Sequence, residues 1–134
     1  MKMKKILILA TTMLLFGAVN AQSLKTVEQI KAANQKCLDK GENMYECALE
    51  YYFQADSLLN VVYKKLRQTL NAEEQLKLKT VQLQWLKKRD KYFQKVITET
   101  KKECDEGSYI FRTSVEQQEA DYVIKRVIEL INKL

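Results

Sequence analysis

The sequence predicts an all-α fold, a small helical bundle of about four helices built on a long antiparallel helical hairpin. Three observations predict it. Proline is absent and glycine occurs only three times, while Lys, Glu, Gln and Leu abound, so helix breakers are scarce. Cap-and-box patterns recur along the chain, with an N-cap residue three positions before Glu or Gln. Two polar–apolar patterns, Asp56-x-x-Leu59-Asn60-x-x-Tyr63 and Gln82-x-x-Trp85-x-x-x-Arg89-Asp90, flank one such signal at Asn71.

The first helix is expected from about Leu24 to Asp39, capped by Ser23 and stopped by Gly41. Its apolar stripe is Leu24, Val27, Ile30 and Cys37 or Leu38. Asn43 with Glu46 is expected to open the second helix, which runs to about Leu70. Its seam alternates by four and three through Tyr45, Leu49, Tyr52, Asp56, Leu59, Tyr63, Leu66 and Leu70. Asn71 with Glu74 opens the third helix, expected to reach about Cys104, with a seam of Leu78, Gln82, Trp85, Arg89, Tyr92 and Val96. Ser114 with Gln117 is expected to open the fourth. Its stripe is Ala120, Val123, Val127, Ile131 and Leu134, widened by Ile124 and Ile128.

In an antiparallel hairpin, facing positions have a constant sum, and the two patterns obey this rule. Asp56 faces Arg89, Tyr63 faces Gln82 and Leu59 faces Trp85. Asp56, Asn60, Tyr63, Gln82, Trp85 and Arg89 are therefore expected to form a structural clamp within a closed seam, as a register lock. A buried Asp56–Arg89 pair would make Asp56→Ala or Arg89→Ala cost roughly 2–4 kcal/mol. The rival reading of the same residues is a ligand pocket.

Residues 1–21 read as a leader for export. Lys2, Lys4 and Lys5 form a positive segment, Ile6 to Ala18 an apolar one, and Val19-Asn20-Ala21 a small-residue cleavage site. Residues 22–134 are then a single mature domain, beginning at Gln22 and found in the periplasm or secreted. No membrane span is expected in it, and without a Cys after the cleavage site no lipid anchor. The formal charge of +6 falls to +3 once the three leader lysines are removed. That mild excess, with export, argues against a nucleic-acid partner.

Cys37, Cys47 and Cys104 remain in a compartment where disulfides persist, and an odd count leaves one thiol over. The favoured pair is Cys37 with Cys47, which closes a short loop; the sequence leaves the other pairings open. The chain has no histidine, so it offers no Ser-His or Cys-His nucleophile and no imidazole metal site. No phosphate loop or calcium loop is present either, and no catalytic residue, cofactor or metal is expected. Lys64, Lys65, Arg67, Lys77, Lys79, Lys87, Lys88, Lys91, Lys95, Lys101 and Lys102 lie outside the seams, as a solvated face or a surface for anionic envelope polymers. Of the run Tyr51-Tyr52-Phe53, one or two rings are expected to meet the first or fourth helix and one to remain exposed.

The paired patterns, in this order and spacing, resemble those of the LprI-type lysozyme-inhibitor-like family of small exported bacterial helical domains. Cys37, Glu46-Cys47 and Glu106-Gly107-Ser108 extend the likeness, which is strongest over residues 37–94. The chain departs from the family where Tyr92 and Phe93 replace a Cys after Arg-Asp, and where no Cys follows the Gly-Ser loop. The resemblance implies a helical exported domain, some of whose relatives inhibit lysozyme. Common lysozymes are basic, so a +3 partner gains no long-range steering toward them. Contact would then run through local loops, with Glu42, Asn43, Asp105 and Glu106 as candidate partner-binding residues. The rival expectation is a non-enzymatic module of the cell envelope that binds peptidoglycan or another anionic polymer.

Overall fold

The computed structural model describes the backbone of residues 2–134 and the side chains of residues 19–134, so the charged and apolar stretches of the expected leader lie outside the described side chains. The elements are α1 (Lys2–Leu38), α2 (Met44–Gln68), α3 (Ala72–Thr100) and α4 (Tyr109–Ile131). No strand occurs among the described residues, and no helix there is long and apolar enough to cross a membrane.

The closest pair is α2 with α4, which run parallel; α1 packs on both and α3 on α4. The reason lies in small residues. Ala48, Ala55 and Ala120 are fully buried, and an alanine at a contact lets two helix backbones approach closely. The buried face of α2 is Cys47, Ala48, Tyr51, Ala55, Leu59, Val62 and Leu66. From α4 it meets Ala120, Val123, Ile124, Val127, Leu130 and Ile131, joined by Val27 and Leu78. A smaller cluster of Val96, Phe111 and Val115 closes the other end of α3 on α4.

The four-helix bundle is as expected, but the expected closed seam between α2 and α3 is corrected. The stripe expected to pair with α3 shares only Leu59 and Leu66 with the true core face. Tyr45, Leu49, Tyr52, Asp56, Tyr63 and Leu70 sit half-buried on its shoulder. The seam of α3 does point inward, but toward α4: Trp85 and Tyr92 stack on Tyr122, with ring centroids 5.9 and 4.3 Å away. Large aromatic residues dominate a sequence stripe, whereas the closest contact belongs to the alanines one position away.

Helix boundaries follow local chemistry. Asn71 forms the full capping box: its side chain accepts from the Glu74 N–H at 2.9 Å, and the Glu74 carboxylate accepts from the Asn71 N–H at 3.0 Å. Asn43 does not cap α2. Its φ of 50° is left-handed and its side chain makes no cap bond. Ser23 is no cap either; it lies inside α1, where its hydroxyl donates to the Val19 carbonyl at 2.9 Å. Helix α3 ends at Thr100, short of Cys104, and α4 begins at Tyr109, ahead of Ser114. Ser108 is the true cap there, accepting from the Phe111 N–H at 3.1 Å after Gly107 turns the chain at φ 79°. Disulfide Cys37–Cys47 joins α1 to α2, with Cα atoms 5.8 Å apart, and leaves Cys104 as the free thiol.

Candidate functional site

The α1–α2 turn and the α3–α4 turn meet at one end of the bundle, and Tyr109 ties them together. Its hydroxyl accepts from the Tyr45 N–H at 3.0 Å and donates to the Glu46 carboxylate at 2.7 Å. The Tyr45 amide is one of the unsatisfied donors at the start of α2, so a tertiary contact does what Asn43 does not. The Tyr109 hydroxyl, first among several causes, holds the Glu46 carboxyl below its ordinary range. Arg112 lies over the Tyr45 ring at 4.9 Å, and the two tyrosine rings meet edge to face at 6.2 Å.

This clasp brings the two turns that carry the candidate partner-binding residues to one end of the bundle. Glu42 and Asn43 are exposed on one turn, Asp105 and Glu106 on the other. Gly41 at φ 69° and Asn43 at φ 50° fold the first turn tightly, and the disulfide holds its base. Glu106 pairs with Lys101 at 2.7 Å, leaving Glu42 and Asp105 as acids without an ion pair. Among these acids stand exposed apolar side chains, Met44 at 37%, Tyr109 at 41% and Ile110 at 70% exposure. Tyr109 and Ile110 were invisible in the sequence, because they fall between the expected end of the third helix near Cys104 and the expected start of the fourth at Ser114.

The six clamp residues are brought to α3 and its flanks, but not as pairs. Arg89 donates to neighbouring Asp90 at 2.8 and 3.0 Å and makes no ion pair with Asp56. Gln82 accepts from Arg126 at 2.9 and 3.0 Å instead of meeting Tyr63. The Asn60 amide donates to the Asp56 carbonyl at 3.2 Å on its own helix. Because α2 and α3 do not close on each other, Asp56, Asn60, Tyr63, Gln82 and Arg89 line an open groove of about 380 Å³, floored by Leu59 and Leu86. Trp85 faces the other way, beside Tyr122 and Arg126.

Arg126 is the buried ion among the described residues, at 5% exposure, and the sequence stripe passed over it. Its position three residues after Val123 and beside Val127 was the available signal. Tyr51 is buried and donates to Asp121 at 2.9 Å; burial, then that bond, pushes its hydroxyl well above the usual phenol range. Tyr52 is half-buried and Phe53 exposed, as a three-ring run on one helix requires. The eleven basic residues between Lys64 and Lys102 that lie outside the expected seams are exposed.

Comparison with curated proteins finds no match, and comparison with solved structures finds none either. A protein-family model described as "Lysozyme inhibitor LprI" matches residues 24–130, most of the chain.

Proposed function

Since the chain belongs to the LprI lysozyme inhibitor family, we propose that it is an exported inhibitor that binds lysozyme through the paired-turn end of the bundle. The observation that carries this reading is the clasp of Tyr109 across both turns, which sets acids and exposed apolar side chains on one rigid end. A preorganised surface loses little entropy on binding. Glu42 and Asp105 would meet the positive surface of a basic lysozyme, and Ile110 would anchor in its cleft. The overall charge then matters little, because the complementarity is local. Nothing in this role requires catalysis by the chain itself.

The test is lysis of a peptidoglycan suspension by a panel of lysozymes, with and without the mature chain from Gln22. Dose-dependent inhibition of at least one enzyme is expected. The combined variant Glu42→Gln, Asp105→Asn and Ile110→Asp should weaken it by at least about tenfold, as loss of a central anchor does. No inhibition across the panel would overturn the reading, and full potency in the variant would move the contact elsewhere.

A further inference from the structure

A second concave surface lies between α3 and α4, away from the paired turns. We propose that this groove binds a saccharide carrying a carboxylate, with Arg126, Lys88 and Lys125 taking the charge and Trp85 and Tyr122 meeting the sugar ring. The groove is about 320 Å³, large enough for one sugar with its substituent.

The charge balance at Arg126 points to an anion. Its Nε and Nη2 donate to the neutral Gln82 amide oxygen at 3.0 and 2.9 Å, and its Nη1 to Glu129 at 2.9 Å. Among the described residues Glu129 is the only carboxylate paired with it, and that side chain is 60% exposed while the arginine's is 6% exposed. A guanidinium removed from water needs a partner removed with it, and a solvated acid supplies only part of that. Lys88 and Lys125 line the same groove, so three cations stand against one acid. A ligand carboxylate arriving in place of Glu129 keeps Arg126 paired and releases Glu129 into water.

The groove also says what the anion is attached to. Trp85 and Tyr122 both line the groove, one ring stacked on the other with centroids 5.9 Å apart and planes inclined by 20°, and give it an apolar aromatic side. An apolar ring surface suits the C–H groups of a pyranose, which a bare inorganic anion lacks. The ligand class is therefore a pyranose that carries a carboxylate, and wall glycans contain such a sugar. Such a site would let the chain hold the glycan that lysozyme cuts while its other end meets the enzyme. Residues 122–129 lie 13 or more positions along α4 from Tyr109, roughly 20–30 Å at 1.5 Å per residue, so the two surfaces do not overlap.

Trp85 is the only tryptophan of the chain, so its emission reports this groove directly. The experiment titrates the full mature chain with N-acetylmuramic acid, N-acetylglucosamine and acetate, following emission and, in parallel, saturation-transfer NMR of the ligand. Saturable binding of the first is expected. The same ring without the carboxylate, and the carboxylate without the ring, should each bind at least about tenfold more weakly. The double charge reversal Lys88→Glu with Lys125→Glu, both exposed, should weaken binding at least about tenfold without altering lysozyme inhibition. Absence of binding by both readouts would overturn the proposal. So would equal binding of N-acetylglucosamine, which removes the carboxylate's role, of acetate, which removes the sugar's, or of wild type and charge reversal, which removes the site.

Discussion

At Arg126 a guanidinium is taken out of water; at Arg89 it is not. Arg89 keeps 23% of its side chain exposed and pairs with the adjacent, exposed Asp90. Exposed ion pairs contribute about 0–1 kcal/mol, whereas an acceptor shielded from water and left without its donor costs about 1–3. Arg126→Ala strips the Gln82 amide oxygen of both its donors and should therefore lower unfolding stability by about 1–3 kcal/mol, and Asp56→Ala by less than about 1, as read by urea denaturation. Equal losses would restore a buried Asp56–Arg89 clamp and sink the assignment. The sequence singled out Arg89 because its spacing matched an acid on the preceding helix. Spacing establishes that two residues share a level, but not that the helices bearing them close on each other. Arg126 carried the opposite signal, a charge at core spacing, which is easily taken for the edge of an apolar stripe.

Two segments of the chain carry the same box, Asn43-x-x-Glu46 and Asn71-x-x-Glu74, and only the second forms it. Asn71 follows a short turn between two helices and adopts the extended conformation a cap requires, φ −73° and ψ 173°. Asn43 lies between a disulfide and the Tyr109 clasp, which draw it into the left-handed region and take Glu46 for a tertiary bond. The number of helices, the inward stripe of α4 and the Cys37–Cys47 bridge were legible, because each rests on local pattern or short loop closure. The partner of α2 was not, because alanine adds little to a hydrophobic stripe yet decides how near two backbones come. Ala55→Leu tests this. It should cost about 1–3 kcal/mol by overpacking the α2–α4 contact, with a lowered melting temperature. A neutral result would mean that the α2–α4 contact has room to spare and that α2 turns another face to the core.

Across the whole molecule, opening the α2–α3 angle creates grooves on both sides of α3 and gathers charge where three helices meet. The α2–α3 groove was the ligand-pocket reading of the clamp, and its polar lining could be named from sequence although its openness could not. Where α2, α3 and α4 converge, Glu119 is half-buried near Glu116 on its own helix, Arg89 on α3 and Tyr52 on α2. Burial, reinforced by the like charge of Glu116 and opposed by Arg89, pushes the Glu119 carboxyl up to about 7. Glu116 is raised in the same direction by burial. A carboxyl whose folded pKa exceeds its unfolded value binds more protons when folded. Stability is then greatest below the unfolded value of 4.5 and falls as pH rises toward about 7. The chain has no histidine to titrate in that window, so carboxylates set the slope. The melting temperature should therefore rise as pH is lowered from about 8 to about 5, and Glu119→Gln should reduce that slope while raising stability at the alkaline end. An unchanged slope in Glu119→Gln would show that the carboxyl is solvated in the folded chain and that the three helices do not shield it.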